Sequence, residues 1–186
     1  PLVELSDRVQ LPASVLTWHT AEALSDQDAA MDLLATILAE GRSSRLYSRL
    51  VHQDAVASEV SAYQMSQQLS SVFLIFTLAD PSVELERIEA LVQEEIDRIA
   101  AEGPRPEELE RARNRIETDH LYGLEDLQSR AEALNRYQVL LGTPDGLGRD
   151  LARYQAADAA AVQAAAARLS AARRQTMRIH PEGAEQ

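Results

Sequence analysis

Four histidines, His19, His52, His120 and His180, are the side chains best able to hold a catalytic zinc, since the chain has no cysteine. Catalytic zinc takes about three protein ligands and keeps one position open for water. The His-x-x-Glu-His arrangement supplies two of those ligands from one face of a helix. His19-Thr20-Ala21-Glu22 gives its first half, but Ala23 stands where the second histidine belongs. His19 also falls in a predicted strand, whereas the signature works by placing its ligands one helical turn apart. His52 is followed by Gln53-Asp54-Ala55, His120 by Leu121-Tyr122-Gly123 and His180 by Pro181-Glu182-Gly183. None continues the pattern. No zinc site is expected within the chain, and each histidine reads as a surface or half-buried residue.

Other chemistries are equally short of partners. A serine nucleophile needs a histidine base held by a carboxylate. Ser43 and Ser44 lie between Arg42 and Arg45, and no spacing brings a histidine to them. Gly41-Arg42-Ser43-Ser44 lacks the further glycines and the lysine of a phosphate loop. Paired carboxylates abound, but in so acidic a chain they point nowhere.

The elements that would position these residues are legible from periodicity. Ser14–Thr20 is rich in β-branched and aromatic residues and reads as a strand. Residues 1–12 read as an extended polar lead. Ser25 then caps a helix whose apolar face, Ala30, Met31, Leu33, Leu34, Ile37 and Leu38, is wide, and Gly41 ends it. A short helix over Ser43–His52 should turn Leu46, Leu50 and Val51 inward. Val56, Ser58, Val60 and Ala62 alternate with polar residues as in a strand. Val72–Phe76 is a continuous apolar run, expected as a central strand covered on both faces and stopped by Asp80-Pro81. Leu85, Ile88, Val92, Ile96 and Ile99 form a helical stripe ended by Gly103. Leu109, Ala112, Ile116 and Leu124 form a second, interrupted near Gly123. Leu127, Ala131, Leu134 and Leu141 form a third. Asp158 caps an alanine-rich helix to Leu169, and Thr176–His180 is a last strand. Runs of helices between few strands predict an α+β fold, with helices on one face of a mainly antiparallel sheet.

Composition bounds the rest. The 186 residues fit one domain, 1–186, and the start at Pro1 suggests a piece excised from a longer protein. All 18 basic residues are arginine, which matches a GC-rich coding sequence. A net charge of −12 excludes a nucleic-acid partner, which needs a basic footprint. Residues 84–125 alone carry 13 acids against 6 bases; such a surface could attract basic peptides, or be a solvated helix face. No apolar run approaches a membrane span. The cysteine-free composition suits cytoplasm or periplasm.

Ser44-Arg45-Leu46-Tyr47, the hairpin ending at Ala79-Asp80-Pro81, the Ala101-Glu102-Gly103-Pro104 turn with its Glu-Glu-Leu-Glu-Arg-Ala helix, and Leu124-Glu125-Asp126 before Arg130-Ala131 occur in one order and spacing. Together, from about Val9 to Pro181, they resemble the second, zinc-free domain of the pitrilysin and mitochondrial processing peptidase family of zinc metallopeptidases. The resemblance implies half of a clamshell: an α+β domain that closes a chamber over an extended peptide while another domain, on the same chain or a partner subunit, carries zinc. The chain alone would then cleave nothing and hold no cofactor, and the periplasm becomes the favoured compartment. The resemblance also implies where substrate is touched. The loop before the Ser-Arg-Leu-Tyr helix takes part in recognition in processing peptidases; here it is Gly41, Arg42, Ser43 and Ser44. Val51 and Ser58 stand where many members carry a substrate-contacting arginine and tyrosine. An apolar valine donates no hydrogen bond, so Arg45 and Tyr63 are the nearby alternatives. The competing expectation is a peptidase-like docking module that has lost catalysis. The excised domain would expose its missing partner's surface and could self-associate into a homo-oligomer.

Overall fold

The computed structural model describes residues 1–182. Five strands make one mixed sheet: β1 (Leu2–Asp7), β2 (Ala13–Thr20), β3 (Ala57–Met65), β4 (Ser71–Ala79) and β5 (Gln175–Pro181), in the order β1-β5-β2-β4-β3. Only β1 and β5 run parallel; the other neighbours are antiparallel. Six α-helices accompany it: α1 (Asp26–Ala39), α2 (Leu85–Glu102), α3 (Pro106–Gly123), α4 (Leu127–Leu141), α5 (Leu147–Ala156) and α6 (Ala159–Arg168). The α+β fold with helices on one sheet face is the expected one.

The core lies between that face and α1, α2 and α6. Ser25 caps α1 by accepting a hydrogen bond from the Asp28 amide, and Gly41, at φ 79°, ends it in the left-handed region open to glycine. Between them Met31, Leu33, Leu34, Ile37 and Leu38 are fully buried. On α2 the stripe Leu85, Ile88, Val92, Ile96 and Ile99 is buried as predicted, each side chain contributing about 1.5–3 kcal/mol by leaving water. α6 packs against both helices through Val162, Ala165 and Ala166. Trp18 lies edge-on to Phe73, ring centres 6.3 Å apart, and donates its indole N–H to the Ser170 carbonyl at 3.0 Å. That bond ties β2 to the loop before β5.

Five local expectations need correction. The polar lead contains a strand, β1, whose partner β5 lies some 170 residues away; its six residues are all exposed, and only the ladder reveals it. β4 is covered on one face rather than two: Phe73, Ile75 and Ala79 are buried, while Val72, Leu74, Phe76 and Leu78 alternate with them half-buried on the opposite face. A bulge between Ala57 and Glu59 shifts the β3 register, so Val56 and Ala57 are buried in succession and Ser58 turns outward. The segment after Leu46 is a π-helix, Tyr47–Gln53, continued by the Asp54 amide bonding the Arg49 carbonyl. Its wider turn buries Leu50, leaves Val51 half-buried and brings the His52 ring 5.1 Å from that of Tyr47. Finally, the apolar stripe of α4 does not enter the core. Leu127 is 73% exposed and Leu134 is also exposed, whereas Tyr137 is buried.

Candidate functional site

Three of the predicted contact residues, Ser43, Arg45 and Tyr63, line two cavities. One, of about 640 Å³, is bounded by the π-helix, the end of α2 and the start of α3, and takes Ser43, Arg45, Ser48, Arg49, Arg98 and Arg105. The other, of about 560 Å³, is bounded by α1, β3, α3 and α4, and takes Tyr63. Gly41 and Ser44 form the turn between α1 and the π-helix. Ser44 is buried, its hydroxyl donating to the Gly41 carbonyl at 2.7 Å. Arg42 and Ser43 project from that turn and are exposed.

In the first cavity the guanidinia are already matched by carboxylates. Arg45 donates to Glu108 through Nε at 2.9 Å and Nη2 at 2.7 Å, a two-pronged ion pair between buried groups. Arg105 adds its backbone N–H at 2.8 Å and its Nη2 at 2.9 Å to the same carboxylate. Burial alone would raise the Glu108 carboxyl; the bonds from Arg45 and Arg105 overcome it and hold the group at about 2. Arg49 pairs with Asp54 at 2.7 Å, and Arg98 with Glu95 at 3.0 Å.

A polar network runs beneath the second cavity. Asp28, one turn into α1, accepts from the Leu24 amide at 2.9 Å, from Gln64 at 3.0 Å and from the Ser66 hydroxyl. Leu24, whose amide makes the first of these bonds, sits at φ 63°, a conformation bulky side chains rarely adopt. Arg153 on α5 donates to the Ser25 carbonyl at 2.6 Å and to Asp150, and lies 3.7 Å from Asp28. Asp150 also accepts from the Tyr137 hydroxyl at 2.9 Å, and its carboxyl lies well below the usual range: desolvation opposes this, while bonds from His120, Arg153 and Tyr137 impose it. Asp150 in turn raises the His120 imidazole, whose Nε2 is 3.7 Å away and whose Nδ1 meets the Ile116 carbonyl at 2.8 Å.

Asp32 is the exception. It accepts one bond, from the Tyr154 hydroxyl at 2.8 Å, on Oδ2. Desolvation first, and the Asp28 charge second, push its carboxyl up to about 7, against the lowering effect of Tyr154, Arg153 and Arg136. No sequence signal singled out Asp32, Asp150, Arg153 or Tyr154. The nearest hint is that Asp28 and Asp32 stand four residues apart on the largely apolar α1, while Arg153 and Tyr154, which face them, lie more than 120 residues on.

The histidines do not converge. His19 and His52 are exposed, on β2 and the π-helix; His120 is half-buried on α3, and His180 lies on β5. Among the described residues no group of three histidines, aspartates or glutamates is placed to hold a metal ion.

Comparison with known proteins agrees with this geometry. The chain is 26% identical over 133 residues to the zinc protease PqqE of Helicobacter pylori, a match covering 72% of this chain and 30% of that protein. The chain thus spans less than a third of the curated relative's length. The crystal structure of an inactive peptidase domain from Bordetella parapertussis superposes with a TM-score of 0.84 at 26% identity, covering 98% of this chain and 97% of that one. A protease structure from Helicobacter pylori gives a TM-score of 0.87 at 20% identity over 97% of this chain and 44% of the other, a likeness of fold. The sequence profile of the peptidase M16 inactive domain matches residues 2–116, and the chain belongs to that family, as a non-catalytic domain of the M16 peptidases.

Proposed function

We propose that this domain closes a peptide-binding chamber against a zinc-carrying domain of the same peptidase, on the same chain or on a partner subunit, and that the helix-free face of the sheet is the surface that docks there. The observation that carries the reading is the outer face itself. Val72, Leu74, Phe76 and Leu78 of β4 alternate outward beside Val15 of β2 and Met177 of β5, with Val3 and Leu5 of β1 exposed at one margin and Tyr63 and Met65 of β3 at the other. A contiguous apolar sheet face is costly to leave in water, and a second domain is the economical cover. PqqE, a zinc protease more than three times the length of the matched segment, supports a larger parent protein with zinc elsewhere. Arg42, Ser43 and Tyr63 are then the residues free to touch peptide, because Arg45 is held by Glu108 and Ser44 shapes the turn.

Sedimentation of the chain with the zinc-carrying domain tests the docking. A stable one-to-one complex, abolished by Phe76→Asp but kept by Leu127→Asp on α4, is expected. A complex indifferent to Phe76→Asp would overturn the assignment of the face. The chain alone is expected to self-associate through the same surface at high concentration, and Phe76→Asp should return it to monomer.

A further inference from the structure

Helix α4 is attached to the domain differently from every other helix. α1, α2, α3, α5 and α6 each make a close-packed junction with another element, and α4 makes none of comparable extent. α2 buries Leu85, Ile88, Leu91, Val92, Ile96 and Ile99, whereas α4, over 15 residues, buries Tyr137 alone. Its apolar residues Leu127, Leu134 and Val139 stay exposed. Between α4, the end of α3 and the start of α5 lies a cavity of about 290 Å³, lined by Gly123, Leu124, Ala133, Tyr137 and Leu147 among others, so the underside of α4 has little to pack on. Among the described residues, the only side-chain hydrogen bond from α4 to another helix is donated by the Tyr137 hydroxyl to Asp150, at 2.9 Å. Asp150 is fixed in turn by Arg153, which also donates to the Ser25 carbonyl at 2.6 Å. The Tyr137 ring lies against Gly146, where a Cβ would stand 2.5 Å from its Cγ. Glycines mark both ends of α4: Gly123 closes α3 before it, and Gly142, at φ 74°, caps it.

We infer that α4 is a hinged flap, latched shut here by Tyr137 and opening as a unit between Gly123 and Gly146 while the sheet and the helices packed on it stay folded. The free energy of opening a segment follows from the apolar surface it exposes and the bonds it breaks. Opening α4 exposes one aromatic ring and releases one hydrogen bond, whereas freeing α1 or α2 dismantles the core. The latch is still sufficient to favour the closed form, because Tyr137 is only 4% exposed and its hydroxyl bonds a charged acceptor. Gly146 belongs to the latch. Its backbone, at φ −106°, would accept a larger residue, and it is the approach of Tyr137 that requires the missing Cβ. Opening uncovers His120, Leu147 and Asp150, so this helix gates the cavity beneath it. The inference is independent of the docking proposed above.

Native-state hydrogen exchange on the whole chain, with urea kept below the unfolding transition, tests the flap. Amides of residues 134–141 should exchange at least about a hundredfold faster than those of residues 33–38 in α1, and with a weaker dependence on urea, because their opening exposes little surface. Variants then separate a flap from global unfolding. Val162→Ala, in the core beneath α6, weakens the closed and open forms alike, so it should speed α1 exchange about tenfold and leave α4 unchanged. Tyr137→Phe keeps the ring and removes the latch bond, and should speed α4 exchange about tenfold. Gly146→Ala should expel the ring and abolish the protection of α4 while core resonances stay dispersed. Equal rates in α1 and α4, or a Val162→Ala variant that speeds both alike, would overturn the flap. Unchanged α4 exchange in Tyr137→Phe and Gly146→Ala would overturn the latch, and a Gly146→Ala variant that unfolds the whole chain would show that α4 does not open separately.

Discussion

Two carboxylates, the buried Glu108 and the half-buried Asp32, sit in one small domain under opposite conditions. Glu108 receives two guanidinia and a backbone amide and is held at about 2. Asp32 receives one tyrosine hydroxyl, faces a second aspartate and rises to about 7. Burial penalises the charge of both, and the number of donors decides the outcome. The contrast separates two kinds of polar site. Around Glu108 every strong donor is matched, and the cluster fastens α3 to the segment that carries Arg45. Around Asp32 a single hydroxyl donor beside open space leaves desolvation and the Asp28 charge uncompensated.

The largest expected effect breaks the first side of the comparison. Glu108→Ala should destabilise the domain by about 3 kcal/mol or more in denaturant unfolding, since it strands the buried Arg45 guanidinium and removes the acceptor at the start of α3. Glu108 is only 1% exposed, so relaxation into water is limited. A loss under 1 kcal/mol would show that Arg45 finds solvent easily.

The second prediction uses pH to set the two carboxylates against each other. Glu108 is depressed in the folded state, so its contribution is full above about 4.5 and is lost as pH falls from there towards 2. Asp32 is raised, so the folded state binds the extra proton between about 4 and 7, and stability declines as pH rises through that window. Asp32→Asn should flatten the decline between pH 4 and 7 and stabilise the domain at pH 8 relative to pH 4, while Glu108→Gln should flatten the acid limb alone. Urea midpoints across pH read both. An unchanged neutral limb in Asp32→Asn would refute the account of Asp32.

Smaller effects sharpen the contrast. Arg105→Ala should cost only about 0.5–1 kcal/mol, because its side chain is 62% exposed and water takes over part of its role, whereas Arg45→Ala should approach the cost of Glu108→Ala. Tyr63→Ala should change stability by less than about 0.5 kcal/mol, its ring standing free on the edge strand β3. A thermal melt orders the three variants.

How far each feature was legible follows from the same distinction. Stripes with a period of 3.6 residues announced α1 and α2, an alanine-rich run behind Asp158 announced α6, and the caps at Ser25, Gly41, Gly103 and Asp158 fell in place, because caps and apolar faces are local properties. β1 was invisible because its only partner is at the far end of the chain. The β3 bulge and the π-helix each insert one residue into a regular period, which pattern reading smooths over. α4 misled because its leucines keep helical spacing yet remain exposed, Tyr137 taking the buried place through Asp150. The non-catalytic character was readable from Ala23 and from the failure of every histidine to start a ligand motif. The Asp32 pocket was not readable, since its parts come from α1, β3, α3, α4 and α5, and only the fold adds them together.

The most direct measurement is cleavage of a mixed peptide library by the chain alone and by the chain with the zinc-carrying domain, each with zinc and with chelator. Cleavage is predicted only in the combined, zinc-loaded sample, with none from the chain by itself under any condition. Chelator-sensitive cleavage by the chain alone would contradict the account outright, and absence of cleavage in the combined sample would replace the chamber with a docking role.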